Sequence, residues 1–227
     1  MSKKEITNQA NPNGDLANEA QGFWEANSKK IVIGLAFFIL AAGGYLGYKY
    51  LVVLPNETKA QEEIFKAEAN FRKDSISLAL NGNATTPGFL KVISKYGDTK
   101  TGNLARLYAG ECYLQLGDYK KAIQYLESFE SNGAKQIEAK VQGLLGDAYS
   151  ESKQNDKAIS FYKNAGSLFP EDENISSEYL FRAGLLLEIN GKTKEAIELY
   201  KEIKEKYPRT EKGMNADKYL ARLGELN

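Results

Sequence analysis

Histidine is absent from all 227 residues. That removes at once the commonest general base near neutral pH and the commonest metal ligand. Cysteine occurs once, as Cys112, so no intrachain disulfide framework can form. A single thiol fits a reducing or an oxidising compartment equally. With no histidine to activate it, Cys112 reads as a small buried hydrophobe rather than a nucleophile. Neither sign of charge is in excess: Lys and Arg number 30, Asp and Glu 30. After Leu54 the numbers are 25 basic and 26 acidic. A nucleic-acid domain needs a basic face to displace counterions, and none is present. A phosphate-binding glycine loop and a paired-ligand metal helix are missing too. Glu171-Asp172-Glu173 lacks the spaced ligands and the glycine of a calcium loop and suits the acidic start of a helix. These absences leave no catalytic residue, metal, cofactor or small-molecule substrate to expect.

What is present begins with Ile31–Leu54, IVIGLAFFILAAGGYLGYKYLVVL, in which Lys49 is the only charged residue. Hydrocarbon is about 30 Å thick and needs roughly 20 apolar residues in a helix. At about 1.5 Å per residue this run reaches about 36 Å, enough to span a lipid bilayer with some tilt. Phe23-Trp24 before it and Tyr45, Tyr48 and Tyr50 near its end suit the two headgroup belts. The run divides the chain into a polar tail (1–30), a transmembrane signal anchor (31–54) and a long charged domain (56–227). The tail, with Pro12, Gly14 and several asparagines, is expected to be disordered. Lys29 and Lys30, with Lys3 and Lys4 further out, favour a cytoplasmic tail and an exported domain. Lys49 and Lys59 on the other side make the bias modest. A cleaved leader is the rival reading, with small residues at Ala41-Ala42-Gly43, but its apolar core would be shorter and 30 preceding residues are too many. Gly43 and Gly47 make a G-x-x-x-G spacing that would let another membrane helix approach closely. Frequent glycine in membrane helices explains the same spacing without a partner.

Beyond Pro55 the pattern is helical and periodic. Gly110, Gly146 and Gly184 are each followed twelve residues on by Ala-Ile: Ala122-Ile123, Ala158-Ile159 and Ala196-Ile197. Four residues after each alanine comes Leu126, Tyr162 or Tyr200. Turn signals lie between the halves: Gly117-Asp118, Gln154-Asn155-Asp156 and Asn190-Gly191-Lys192. This spacing predicts two antiparallel helices per unit, with small residues where helices cross and large ones beside them. One unit cannot bury its apolar face alone, so units must stack. The expectation is an all-α solenoid with units 103–133, 139–171 and 177–208. A worn leading unit (57–97) and a capping helix (212–224) complete it.

The pattern resembles the tetratricopeptide repeat, L-G-x-x-Y … A-x-x-x-F … P. Leu145-Gly146, Tyr149, Ala158, Tyr162, Ala165 and Pro170 match best. The first unit has no proline after Phe129, the third has Ala183 before its glycine, and none has the early tryptophan. The resemblance implies a ligand groove along the first helix of each unit. By register it would hold Leu104, Leu107, Glu111, Leu114, Asp147, Glu151, Phe181, Leu185, Glu188 and Ile189. Such a groove is apolar with acidic spots and suits a segment of mixed apolar and basic side chains. The order of tail, Gly-rich anchor and small array ending in Tyr219-Leu220-x-x-Leu223 resembles the ancillary subunit of the bacterial Sec translocon (the YfgM-like family). That resemblance implies an inner-membrane protein with a periplasmic array. Its partners would be Sec translocon subunits and a membrane-anchored periplasmic chaperone of the prolyl isomerase type. A scaffold for cell-wall or outer-membrane assembly is the alternative that the same architecture allows.

Overall fold

The computed structural model describes residues 12–225. It falls into two compact units that divide after Pro55. Among the described residues every regular element is helical.

The first unit is built on helix α1 (Pro12–Tyr48), followed by a five-residue π-helical turn, Lys49–Val53. Residues 12–30, expected to be disordered, are therefore helical, and residues 1–11 lie outside the described residues. Proline suits the first turn of a helix, where no N–H partner is needed. Further along, Gln21 donates to Glu25 and the Asn27 amide donates to the Phe23 carbonyl, both one turn apart. The helical stretch Gln21–Phe71 contains the one window among the described residues long and apolar enough to cross a membrane. The side chains of that window are unburied: Phe37 and Leu40 are each 75% exposed. No atom lies within 4 Å of a Cβ built on Gly43, Gly44 or Gly47.

The second unit contains α2 (Leu54–Phe71), α3 (Ile76–Asn81), α4 (Phe89–Tyr96), α5 (Lys100–Gln115) and α6 (Tyr119–Glu127). It continues with α7 (Lys135–Glu151), α8 (Asn155–Leu168), α9 (Glu173–Ile189), α10 (Thr193–Lys206), α11 (Glu211–Met214) and α12 (Ala216–Arg222). The pairs α5/α6, α7/α8 and α9/α10 are the three helical hairpins that the glycine spacing predicts. In the leading unit, Glu63 of α2 takes Lys95 and the Tyr96 hydroxyl of α4, and the short α3 packs on α4 and α5. The capping segment expected as one helix is two, α11 and α12, broken at Asn215.

The repeated small residues sit where hairpin partners cross. A Cβ on Gly110 would lie 2.5 Å from Leu126, and one on Gly146 would lie 2.5 Å from the Tyr162 ring. Gly184 meets Tyr200 in the same way. Tyr113 stacks on Tyr125 at 5.3 Å, and Tyr149 stacks on Phe161 at 5.1 Å in the next unit. The core has two lobes. One joins α2 to α6 around Phe89, Val92 and Cys112; the other joins α5 to α12 around Tyr162, Leu187 and Tyr200. Leu104 and Ile123 pack against both lobes and make the interior continuous.

The turn after each first helix, and the end of α12, follow one rule. A residue of positive φ stands at Asp74, Gly117, Lys153, Gly191 and Gly224. At each, the following N–H reaches a carbonyl five residues back, as from Asp118 to Tyr113 and from Gln154 to Tyr149, both at 2.9 Å. This left-handed cap satisfies the last carbonyls of the helix and sends the chain back along it.

Candidate protein-binding surface

The surface to test is the one formed by successive first helices, α5, α7 and α9. Residues three and four apart share a helix face, so the repeat register alone assigns the candidates. The structure divides them into three groups. Leu107 and Phe181 are only 4% and 8% exposed and belong to the core, not to a groove. Phe181 is covered by Tyr200 of α10 and Tyr219 of α12, with ring centroids 5.9 and 4.6 Å away. Leu104, Leu114 and Leu185 are half-buried and pack on the core with one edge showing. Ile189 is 76% exposed at the end of α9, and Glu151 is exposed at the end of α7, where it accepts the Tyr119 hydroxyl at 3.3 Å.

Of the four acidic spots, Glu111, Asp147 and Glu188 are in ion pairs, whereas Glu151 accepts only the Tyr119 hydroxyl. Glu111 on α5 receives Lys140 of α7 at 2.6 Å. Asp147 on α7 receives Arg182 of α9 at 2.8 Å and also accepts the Tyr162 hydroxyl at 2.6 Å. Arg182 turns its Nε to Glu178 at 2.8 Å, and Lys212 of α11 reaches Glu178 at 3.3 Å. Glu188 takes both Arg222 of α12 and the Tyr200 hydroxyl, at 2.8 and 2.7 Å. A ladder of ion pairs thus runs across the first helices from α5 to the capping segment. Each acid was visible in the sequence. Its partner, at least 29 residues further on in every inter-helix pair, was not.

The ladder sets the ionisation of its members. Burial pushes the Tyr162 hydroxyl up, and its hydrogen bond to Asp147 pushes it further. Tyr200 is raised in the same way by burial and by Glu188. Burial works against an ionised Glu178, but Arg182 and Lys212 outweigh it and hold its carboxyl below the usual range. Arg182 also lies over the Tyr179 ring at 5.7 Å, and Lys212 over Phe181 at 5.0 Å. One acceptor remains open: Glu111 Oε2 is buried and meets no donor among the described residues.

Sequence reasoning missed three positioning groups. Thr99 and Thr210 cap α5 and α11 by accepting Gly102 N–H at 2.9 Å and Gly213 N–H at 3.1 Å. Both stand in the pattern Tyr-x-x-Thr-x-x-Gly (Tyr96–Gly102 and Tyr207–Gly213), which was readable. The third is Asn103, whose amide both donates to the Glu130 carbonyl at 2.7 Å and accepts the Glu130 N–H at 3.0 Å. No local signal marks that pair. Cys112 is fully buried, and burial pushes its thiol up to about 12, so it is no nucleophile at neutral pH. Among the described residues no group of His, Cys, Asp and Glu could hold a metal ion.

Comparison with known proteins agrees with this geometry. Residues 104–132 and 178–210 match one tetratricopeptide repeat family model, and residues 139–172 match a second. No curated protein matches the sequence. Among solved structures, the chain is similar to a kinesin-light-chain-like protein of Podosopora anserina with nearly identical TPR-like repeats. The TM-score is 0.58 at 14% identity, covering 74% of this chain and 86% of that one. A point variant of that protein gives 0.57 at 13%, over 74% and 85%. At such identity the likeness is one of fold. Three tetratricopeptide repeats therefore lie between residues 104 and 210, and such repeats indicate a protein-interaction scaffold.

Proposed function

We propose that the protein is a membrane-anchored scaffold serving protein export, an ancillary subunit of the Sec translocon that couples the channel to periplasmic chaperones. In this reading 31–54 stays in the inner membrane as a single pass. Its N-terminus is cytoplasmic and residues 56–227 form the array in the periplasm. The observation that carries the reading is the combination of one unburied apolar helix with a repeat array in the second unit. Lys29 and Lys30 supply the positive-inside bias. Gly43 and Gly47, open on the anchor surface, would meet a membrane helix of the channel. The array would hold a segment of a chaperone of the prolyl isomerase type. The partly exposed Leu104, Leu114, Leu185 and Ile189 would give it apolar contact.

The test is purification of the tagged full-length protein from its own membranes in gentle detergent, with mass spectrometry of what accompanies it. Sec channel subunits in the eluate support the proposal, and removal of residues 1–54 should then abolish their recovery. Recovery of cell-wall or outer-membrane assembly factors instead would replace it with an envelope-assembly scaffold.

A further inference from the structure

The three hairpins are not equal. Helices α8 and α10 have 14 residues each, whereas α6 has 9. In the second hairpin the last turns of α8 fill the space against α9. Gly166 comes so near that a Cβ there would lie 2.7 Å from Leu180 Cγ. Counting by the 36-residue offset of Gly110 and Gly146, the matching place in the first hairpin falls at Glu130, beyond the end of α6. The backbone there is held out of the helix by Asn103, which occupies both the N–H and the carbonyl of Glu130. A residue whose two main-chain groups are bonded to a side chain cannot also join the helical ladder.

The missing turns leave a cavity of about 240 Å³ between α6, α7 and α8. Its apolar lining comes from Leu126, Phe129, Val141, Leu145 and Phe161. Glu127 and Glu138 stand in the same lining, and Glu138 is shared with an adjoining cleft toward the end of α8. Neither lining includes a Lys or Arg. Among the described residues neither glutamate is in an ion pair, and Glu127 accepts only the neutral Tyr149 hydroxyl, at 2.8 Å. This contrasts with Glu111, Asp147 and Glu188 of the first-helix face, each of which pairs with Lys or Arg of a neighbouring helix. Apolar volume and uncompensated negative charge coincide at this junction.

We propose that this cavity is a second docking site, separate from the first-helix face, that takes one large apolar side chain of a basic partner segment. The pocket supplies the apolar contact, and Glu127 and Glu138 select lysine or arginine beside the inserted residue. Charge complementarity of this kind favours the right partner and repels an acidic one.

The probe is a ten-residue lysine-rich peptide with a single benzoylphenylalanine, photo-crosslinked to the full-length protein in neutral detergent, with the adducts mapped by mass spectrometry. Adducts on Leu126, Phe129, Val141 or Phe161 are expected, and the same peptide with glutamate for lysine should give at least tenfold less. The Glu127→Lys/Glu138→Lys chain should lose at least tenfold in yield with the lysine peptide, whereas Glu198→Gln, at an exposed position on α10, should not change it. The two peptides compared on the unaltered chain decide the matter even if the charge-reversed chain fails to fold. Equal yields from the two peptides, or adducts confined to Leu104, Leu114 and Ile189, overturn the proposal. The second of these outcomes would leave the first-helix groove standing as the sole docking surface.

Discussion

Glu57, in the first turn of α2, accepts the main-chain N–H of Lys100 at 2.8 Å across 43 positions of sequence. Its other oxygen takes Thr101, through the N–H at 3.2 Å and the hydroxyl at 2.5 Å. A carboxylate from one helix thus closes the open N–H groups at the start of another, where it also meets the positive end of the helix dipole. Thr99 caps the same terminus from within. Glu57→Ala should therefore cost about 1–2 kcal/mol, the range of a lost N-cap with its charge. Glu57→Gln, which keeps an acceptor without the charge, should cost about half as much. Thermal unfolding of the full chain in mild detergent measures both, and equal losses from the two would remove charge from the account.

The helix crossings give a sharper test. Gly146→Ala places a methyl group against the Tyr162 ring, whose hydroxyl is already fixed on Asp147. The ring cannot retreat without breaking that bond, so the substitution should destabilise the array by about 1–3 kcal/mol. Gly47→Ala on α1 meets nothing and should leave the unfolding temperature of the array unchanged. A reduced recovery of membrane partners with Gly47→Ala would then be read as lost helix packing and not as unfolding.

Why the fold was legible follows from these glycines. A close crossing admits a single residue type, so it writes Gly110, Gly146 and Gly184 into the sequence at fixed spacing, with Leu126, Tyr162 and Tyr200 opposite. The first-helix surface was less legible because register gives a face and not its depth. Leu107 and Phe181 share the register of Leu104 and Leu185 yet lie in the interior. Charge was misread for a related reason. Glu111, Asp147 and Glu188 are visible one by one, but their neutralisation depends on which residue of a later helix stands beside them. The break at Asn215 and the early end of α6 are likewise tertiary effects, the latter enforced by Asn103 from another helix.

Cys112 makes stability depend on alkaline pH. Burial raises its folded-state pKa from 9.0 to about 12. The unfolded chain therefore releases this proton first as pH rises. The contribution is fully present below pH 9 and is lost as pH climbs toward the folded value. The slope is roughly 1 kcal/mol per pH unit in that window. Half-buried Tyr108, pushed up to about 12 by burial and by Glu68, acts in the same direction. Melting curves at pH 8, 9.5 and 10.5 should show a falling midpoint, with a shallower fall for Cys112→Ala. Parallel curves for the two proteins would mean that the thiol ionises as readily in the fold as outside it.

The turn between α7 and α8 holds the last prediction. Gly117 and Gly191 occupy the left-handed position after α5 and α9, with φ of 78° and 73°, but the same place after α7 is Lys153, at 61°. A side chain there costs about 1–2 kcal/mol, because Cβ crowds the following carbonyl. Lys153 nevertheless adopts it, since the chain must turn and the Gln154 N–H must reach the Tyr149 carbonyl at 2.9 Å. The strain is thus imposed by the repeat and is not compensated by the side chain, which is exposed and in no ion pair among the described residues. Lys153→Gly relieves it while adding backbone freedom to the unfolded chain, so the net gain should be near 1 kcal/mol. For an array of this size that is a rise of about 2–4 °C in Tm. Gly191→Lys, at a position where a Cβ meets no neighbour, should lower Tm by a similar amount through the backbone alone. If Lys153→Gly instead lowers Tm, the lysine makes a contact that outweighs its strained backbone.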